Sequence, residues 1–354
     1  MVARWTHWLG IALVTGTLLA CAGPQGGSPA PPPGPAVGAA AAAAAPAPNV
    51  EGPVVLAASQ NVTSNIVVWL AHEVGLFAKH GVNVDLQSIN ATTAIKALVA
   101  GQLHGVLVGS PEVIAARGAG SPVTIVGVFV HVYNQQMVVP AEVTRVDQLR
   151  GKTIGVITHT SVNGVGTVRA LRAHGLEPGR DYTIVETGSA GTFQALAGQL
   201  FARNIDAAAL DPNLARQAAA EGYRILFDLA EMDLPVAAGS LAFQTAYVEQ
   251  HPDVVQRIVD ALIDSLRYAR EHRAETEAAF SKYFKISDPA QLAFTYDRVV
   301  GQVLAKVPYP APEQFPDTIE AMARENPDLR TIDIPSLIDR RFVESAVQRG
   351  LANY

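Results

Sequence analysis

Small polar residues follow short apolar runs again and again along this chain. Gln60, Asn61, Thr63 and Ser64 come after the first run, and Asn90, Thr92 and Thr93 after the second. Gly109, Ser110, Pro111 and Glu112 follow the third, His131 a fourth, His159, Thr160 and Ser161 a fifth, Gly188 and Ser189 a sixth, and Asp211 stands before Pro212. Hydroxyl, amide and carboxylate groups in such places do one of two things: they cap the helix that comes next, or they hydrogen-bond a small ligand laid across the helix start. Except for Glu112 and Asp211 these turns carry no formal charge, and they contain no Lys or Arg. An anion here would therefore depend on helix N-termini and hydroxyls, and a neutral or zwitterionic solute fits equally well.

Catalytic patterns are missing. "GSPEV" is not a nucleophile elbow, "GVGTV" lacks the third glycine of a dinucleotide loop, and "HEVGLFAKH" lacks the second His at zinc-protease spacing. His131 and His159 are read as hydrogen-bonding or pH-sensitive side chains, because nothing beside them has metal-ligand spacing. The expectation is a binding protein, not an enzyme, with neither metal nor cofactor.

The elements that must position these residues can be read from periodicity. "PVVLAAS", "VNVDLQSI" and "GVLVGS" have the composition of strands; "NIVVWLAHEVGLFAKHG" and "TTAIKALVAG" between them read as helices that stop at Gly81 and Gly101. A second series repeats the layout: "TIGVITH", "GVGTVRALRAHG", "YTIVET", "GTFQALAGQLFARN" and "IDAAALD". Alternation of this kind predicts βαβ crossovers and mainly parallel sheets. The stretches 94–120 and 192–222 also match each other, each with a Gly-Gln-Leu, a short apolar strand, a Ser-Pro or Asp-Pro turn and an Ala-rich helix. Two copies at so long a period mean two similar lobes, not a solenoid. "VTIVGVFV" and "QMVVPA" mark the crossing into the second lobe, and "ILFDLAEMDLPVAAGSLAF" the return; from Gln250 onward the chain reads as helical, with an apolar stripe at Val255, Ile258, Val259, Leu262 and Leu266.

The beginning differs in kind. Arg4 precedes the apolar "LGIALVTGTLLA", too short for a permanent membrane helix and shaped like a signal peptide over 1–20. Leu18, Leu19, Ala20 and Cys21 resemble a bacterial lipoprotein cleavage box, so Cys21, the only cysteine, is expected to carry lipid. Residues 21–50 are then a lipidated N-terminus and an Ala/Pro-rich tether with little to bury. Beyond residue 50 the chain has 25 basic against 32 acidic groups, which argues against a nucleic-acid partner.

The phrases "AHEVGLFAKHGVNVDL", "ALVAGQLHGVLVGSPEVIAARGAG", "VDQLRGKTIGV", "RALRAHGLEPGRDYTIVET" and "IDAAALDP" resemble the solute-binding proteins of ABC importers for nitrate, sulfonate and taurine, a group that includes binders of thiamine-pyrimidine precursors. The resemblance implies a two-lobed α/β fold of the periplasmic-binding-protein type II, each lobe a mainly parallel sheet flanked by helices, with two crossover strands as the hinge. It implies lobe 1 at 51–131 and 237–354, lobe 2 at 132–236, and the turns named above around a cleft for a sulfonate, pyrimidine or other small organic solute. The implied partners are that solute, an ABC permease and, through the lipid anchor, a membrane; the implied location is periplasmic or cell-surface. Ser161 and Asp211 match the pattern best, whereas Leu210 stands where sulfonate binders often have Trp, and His104, where relatives have an acid, is read as structural. A sensor subunit or an enzyme on the same fold are the alternatives. The cysteine-rich motif of a pyrimidine synthase on this fold cannot occur here, since Cys21 is the only cysteine.

Overall fold

β-branched runs alternating with Ala-rich helical stretches give two βαβ layers, seen in a computed structural model that describes residues 52–58, 62–187 and 192–354. The expectations at Cys21, Gln60, Asn61, Gly188 and Ser189, and those for the signal segment and tether, lie outside the described residues. The first series is β1 (Val54–Ala58), α1 (Ile66–Glu73), α2 (Leu76–Lys79), β2 (Val84–Ser88), α3 (Ala91–Val99), β3 (Gly105–Val108), α4 (Ser110–Gly118) and β4 (Val123–Val130). The second is β5 (Gln136–Val139), β6 (Thr153–Val156), α5 (Val162–Ala173), β7 (Thr183–Glu186), α6 (Phe193–Phe201), β8 (Ala207–Leu210), α7 (Pro212–Ala220) and β9 (Arg224–Asp228). The chain then returns through β10 (Gly239–Gln244) and continues as α8 (Thr245–Gln250), α9 (Pro252–Glu271), α10 (Arg273–Phe284), α11 (Pro289–Arg298), α12 (Pro316–Met322), α13 (Ile334–Leu337) and α14 (Arg341–Gln348).

One sheet has the order β2-β1-β3-β10-β4 and the other β7-β6-β8-β5-β9. The orders superpose position by position, and the sequence repeat falls on α3-β3-α4 and α6-β8-α7, the equivalent parts of the two. Both sheets are mixed. β1, β2 and β3 pair in parallel, as do β6, β7 and β8, while β10 and β5 pair antiparallel with both neighbours. The reversed strand in each sheet is the one delivered by a crossover. A chain that leaves one sheet at its cleft end enters the other at its cleft end, and so runs against strands whose C-termini point there. This also places the turns after β2, β3, β6 and β8 on facing edges, as ligand sites at the carboxyl ends of strands require.

Strand side chains alternate between two buried faces. Leu56 and Leu107 pack with α1 and α9 on one side of the first sheet, whereas Ala57, Val106 and Val108 pack with α3 and α4 on the other. Ala207 and Ala209 face one side of the second sheet, Ala208 and Leu210 the opposite side. On α9 the stripe Val255, Ile258, Val259, Leu262 and Leu266 is fully buried, each side chain contributing about 1.5–3 kcal/mol.

Two local differences from the sequence expectation have plain causes. The helix expected up to Gly81 breaks into α1 and α2 at Gly75, whose φ of 73° is one that glycine adopts without strain. The C-terminal region is not helical throughout. α11 passes into a π-helical turn, Val299–Val303, and the chain then runs beside the edge strand β4, with a bridge between Val130 and Leu304 and a hydrogen bond from Val128 N–H to Pro308 O. An open edge is covered in this way. No helix among the described residues is long and apolar enough to cross a membrane.

Candidate functional site

The facing edges are shaped by caps. Asn90 Oδ1 accepts from Thr93 N–H at 3.0 Å and starts α3. Pro111 occupies the first turn of α4, where its missing N–H costs nothing. Ser110 N–H donates to Ala237 O in the return crossover at 3.0 Å; its Oγ is buried and has no hydrogen-bond partner among the described residues. Across the gap, Ser161 Oγ accepts from Gly164 N–H at 3.1 Å and donates to Thr158 O at 2.9 Å, tying the β6–α5 turn into a tight loop. Asn163 fixes that loop to the sheet, accepting from Ile157 N–H at 3.0 Å and donating to Ala209 O at 2.7 Å. Asp211 caps α7 through Asn213 N–H at 2.9 Å, and burial raises its pKa against the opposing effects of that hydrogen bond and of Arg298.

A cavity of about 640 Å³ opens where these edges meet. Thr92 and Pro111 at the helix starts, and Thr158, Thr160 and Ser161 from the opposite turn, form its mouth; it continues between α3 and α4 along Ile95, Val99, Ala115 and Ala119, with Met322 of α12 alongside. Most of the wall is apolar, as is usual for small-molecule pockets. Lys96 and Glu112 are its ionisable residues. Burial raises the pKa of Glu112, partly offset by the hydrogen bond to its own N–H.

Of the residues expected to bind ligand, Thr92, Pro111, Thr160 and Ser161 line this cavity. Asn90 and Thr93 hold the α3 cap beside it, and Gly109 stands against Glu112 and Val162 of the other lobe's turn. Thr63 and Ser64 lie half-buried in a 3-10 turn ahead of α1, whose N-cap, Asn65, makes no side-chain capping hydrogen bond. His159 is bound through its backbone N–H and Nδ1 to the Glu186 carboxylate. His131 sits against the backbone of Val128 and Tyr309, where burial lowers its pKa; it is not on the cavity wall. His104 is structural: its Nδ1 accepts from Val55 N–H at 2.9 Å.

The sequence expectations name Glu112 only as part of the turn after the third run, and do not include Lys96, Met322 or Arg298 among the ligand contacts. Lys96 and Met322 sit on helix faces that read as ordinary packing or solvent positions. Arg298 reaches from α11 to the second lobe, donating to Asp228 Oδ1 at 2.7 Å and Asn134 Oδ1 at 2.8 Å, and is held locally by Gln302 Oε1 at 2.8 Å. Among the described residues no cluster of three or more His, Cys, Asp and Glu is placed to hold a metal ion.

Two mixed five-stranded sheets joined by two crossovers, with facing turns around a cavity, define the two-lobed architecture of the type II periplasmic binding proteins. The match of residues 62–276 to the NMT1/THI5-like family model places the chain in that family. None of the curated proteins matches the sequence. Among solved structures, the periplasmic aliphatic sulphonate binding protein SsuA from Escherichia coli shares the fold at TM-score 0.64 and 18% identity, covering 80% of this chain and 98% of its own. The periplasmic nitrate-binding protein NrtA from Synechocystis PCC 6803 does so at TM-score 0.65 and 14% identity, over 86% of this chain and 90% of its own. The desulfurization enzyme DszB shares it too, at TM-score 0.62 and 18% identity, over 84% and 99%. These neighbours are mainly binding proteins, but the fold also carries an enzyme.

Proposed function

We propose that the protein is an extracytoplasmic substrate-binding lipoprotein that captures a small organic solute between its lobes and delivers it to an ABC importer permease. The observation that carries this reading is the cavity walled by Thr92 and Pro111 from one lobe and Thr160 and Ser161 from the other. Neither lobe encloses it alone, so hinge closure about the crossovers at 131–135 and 229–238 would trap what one lobe first holds. The lobes in this reading are 51–131 with 237–354, and 132–236. The reading contains no catalytic step. Ser161, the nucleophile-type side chain on the wall, has its hydroxyl engaged by Thr158 and Gly164.

A ligand bound only by the folded state raises the melting temperature; one present at a hundred times its Kd adds about 2.7 kcal/mol. Screening sulfonates, pyrimidines, amino-acid derivatives and aromatic acids by melting shift is therefore expected to yield at least one stabilising solute that is recovered chemically unchanged. Turnover of that solute by the purified protein would overturn the reading. For the anchor, Cys21→Ala is expected to move the protein from the membrane to the soluble fraction and to abolish labelling with a radioactive fatty acid. Labelling equal to that of the unaltered chain would remove Cys21 from the account.

A further inference from the structure

At the helices that begin at the cavity mouth the chain itself takes up one first-turn N–H each: Asn90 accepts from Thr93 N–H on α3 and Ser161 from Gly164 N–H on α5. On α4 the occupant is an acid: the Glu112 carboxylate turns back onto its own N–H, and its Oε2 lies so near Gly109 that a methyl there would stand 2.9 Å away. The positive helix end that would favour an anion is thus already filled by one. Glu112 is half-buried and has no ion pair among the described residues. Lys96, the cation on the same wall, is exposed and is not bonded to it, so water screens its charge. Arg298, a buried cation that reaches from α11 to the cleft end of the second sheet, is taken up by Asp228.

We propose that the cavity takes an organic cation, with an apolar body lying along Ile95, Val99, Pro111, Ala115, Ala119 and Met322 and a protonated nitrogen set against the Glu112 carboxylate, and that it rejects sulfonates and nitrate. This rests on the solute-binding reading of the same cavity and departs from the ligands named for SsuA and NrtA. Burial disfavours the charged form of Glu112 in the empty cavity, and an arriving cation removes that penalty. A sulfonate at the same place would meet the Glu112 carboxyl, with only the exposed, solvent-screened Lys96 to offset it.

The test uses the full chain and a matched pair of probes, 4-phenylbutylamine and 4-phenylbutanesulfonate, which share an apolar body and differ in the sign of the head group. Calorimetric titration near neutral pH is expected to show the amine binding at least about tenfold more tightly than the sulfonate. In Glu112→Gln the amine should weaken by about tenfold or more, while the sulfonate is not weakened. A sulfonate bound as tightly as the amine overturns the proposal, as does a folded Glu112→Gln protein that keeps full amine affinity. If that variant does not fold, the comparison on the unaltered protein still decides. If neither probe binds, the hit from the melting screen decides: a cationic solute weakened by Glu112→Gln supports the proposal, and an anionic one overturns it while leaving the solute-binding reading intact. A screen in which nothing raises the melting temperature removes the solute-binding reading itself, and this inference with it.

Discussion

Replacing Arg298 by Met is expected to destabilise the folded protein by about 3–5 kcal/mol, seen as a fall in the urea midpoint. Arg298 and Asp228 are almost wholly buried, with side chains 7% and 9% exposed. Deleting the guanidinium leaves a carboxylate in a dry place with only Gln136 and the Ala230 N–H to hold it. Arg298→Lys should restore only part of the loss, because a lysine cannot reproduce the fork that meets both Asp228 oxygens and Asn134 together. Changing both partners to apolar residues, as in Arg298→Met with Asp228→Leu, should cost less than Arg298→Met alone, because no charge is left stranded. If the double variant is the less stable, the buried charge is not the cause.

The same pair sets a pH dependence. Burial opposes the charge on Asp228, but the hydrogen bonds from Arg298, Ala230 and Gln136 prevail, and its pKa lies below the ordinary aspartate value. A carboxyl depressed in the folded state contributes stability in full above its unfolded pKa, about 3.9. That contribution is lost as the pH falls from there through the lower folded value. In Arg298→Met this acid-side loss should shrink or reverse, because burial without the guanidinium raises the folded pKa of Asp228 toward or above its unfolded value.

The second large effect is expected at Gly164. Alanine in the first turn of a helix normally helps, by up to about 1 kcal/mol over glycine. Here a Cβ would lie 2.0 Å from Thr158 O and 3.0 Å from His159 O, and backbone cannot rotate away as a side chain can. Gly164→Ala should therefore lose about 1–3 kcal/mol, the reverse of the helix-propensity sign. Displacing the turn would also undo the Ser161 cap and move Thr158, Thr160 and Ser161, which form one side of the cavity mouth. Affinity for the true solute should fall by at least about tenfold. A variant as stable as the unaltered protein, with unchanged solute affinity, would show that this turn does not shape the site.

Much of the scaffold was legible because its causes are local. Gly81 and Gly101 end helices at φ of 72° and 74°, values open to glycine at little cost. Asn90, Ser161 and Asp211 cap the helices they precede, since a short polar side chain there reaches the second or third N–H. Those same three positions were candidates for ligand contact, and capping accounts for much of their chemistry. Gly75 was less legible: a single glycine inside an apolar-periodic stretch is compatible with a continuous helix until packing chooses the break.

By itself, then, the sequence determined the alternation of strand and helix, the duplication that puts β3 and β8 in matching places, and the ends of most helices, because each depends on residues within one or two turns of one another. Tertiary structure alone decided that Arg298 of α11 ends against Asp228 and that Glu112 faces a cavity with no cation bonded to it. It also decided that Met322 of α12 joins a wall begun at Thr92. The physical reason is distance along the chain. Side-chain period fixes which face an element buries, but which charge meets which depends on how two separately folded layers are brought together by the crossovers, and nothing local encodes that meeting.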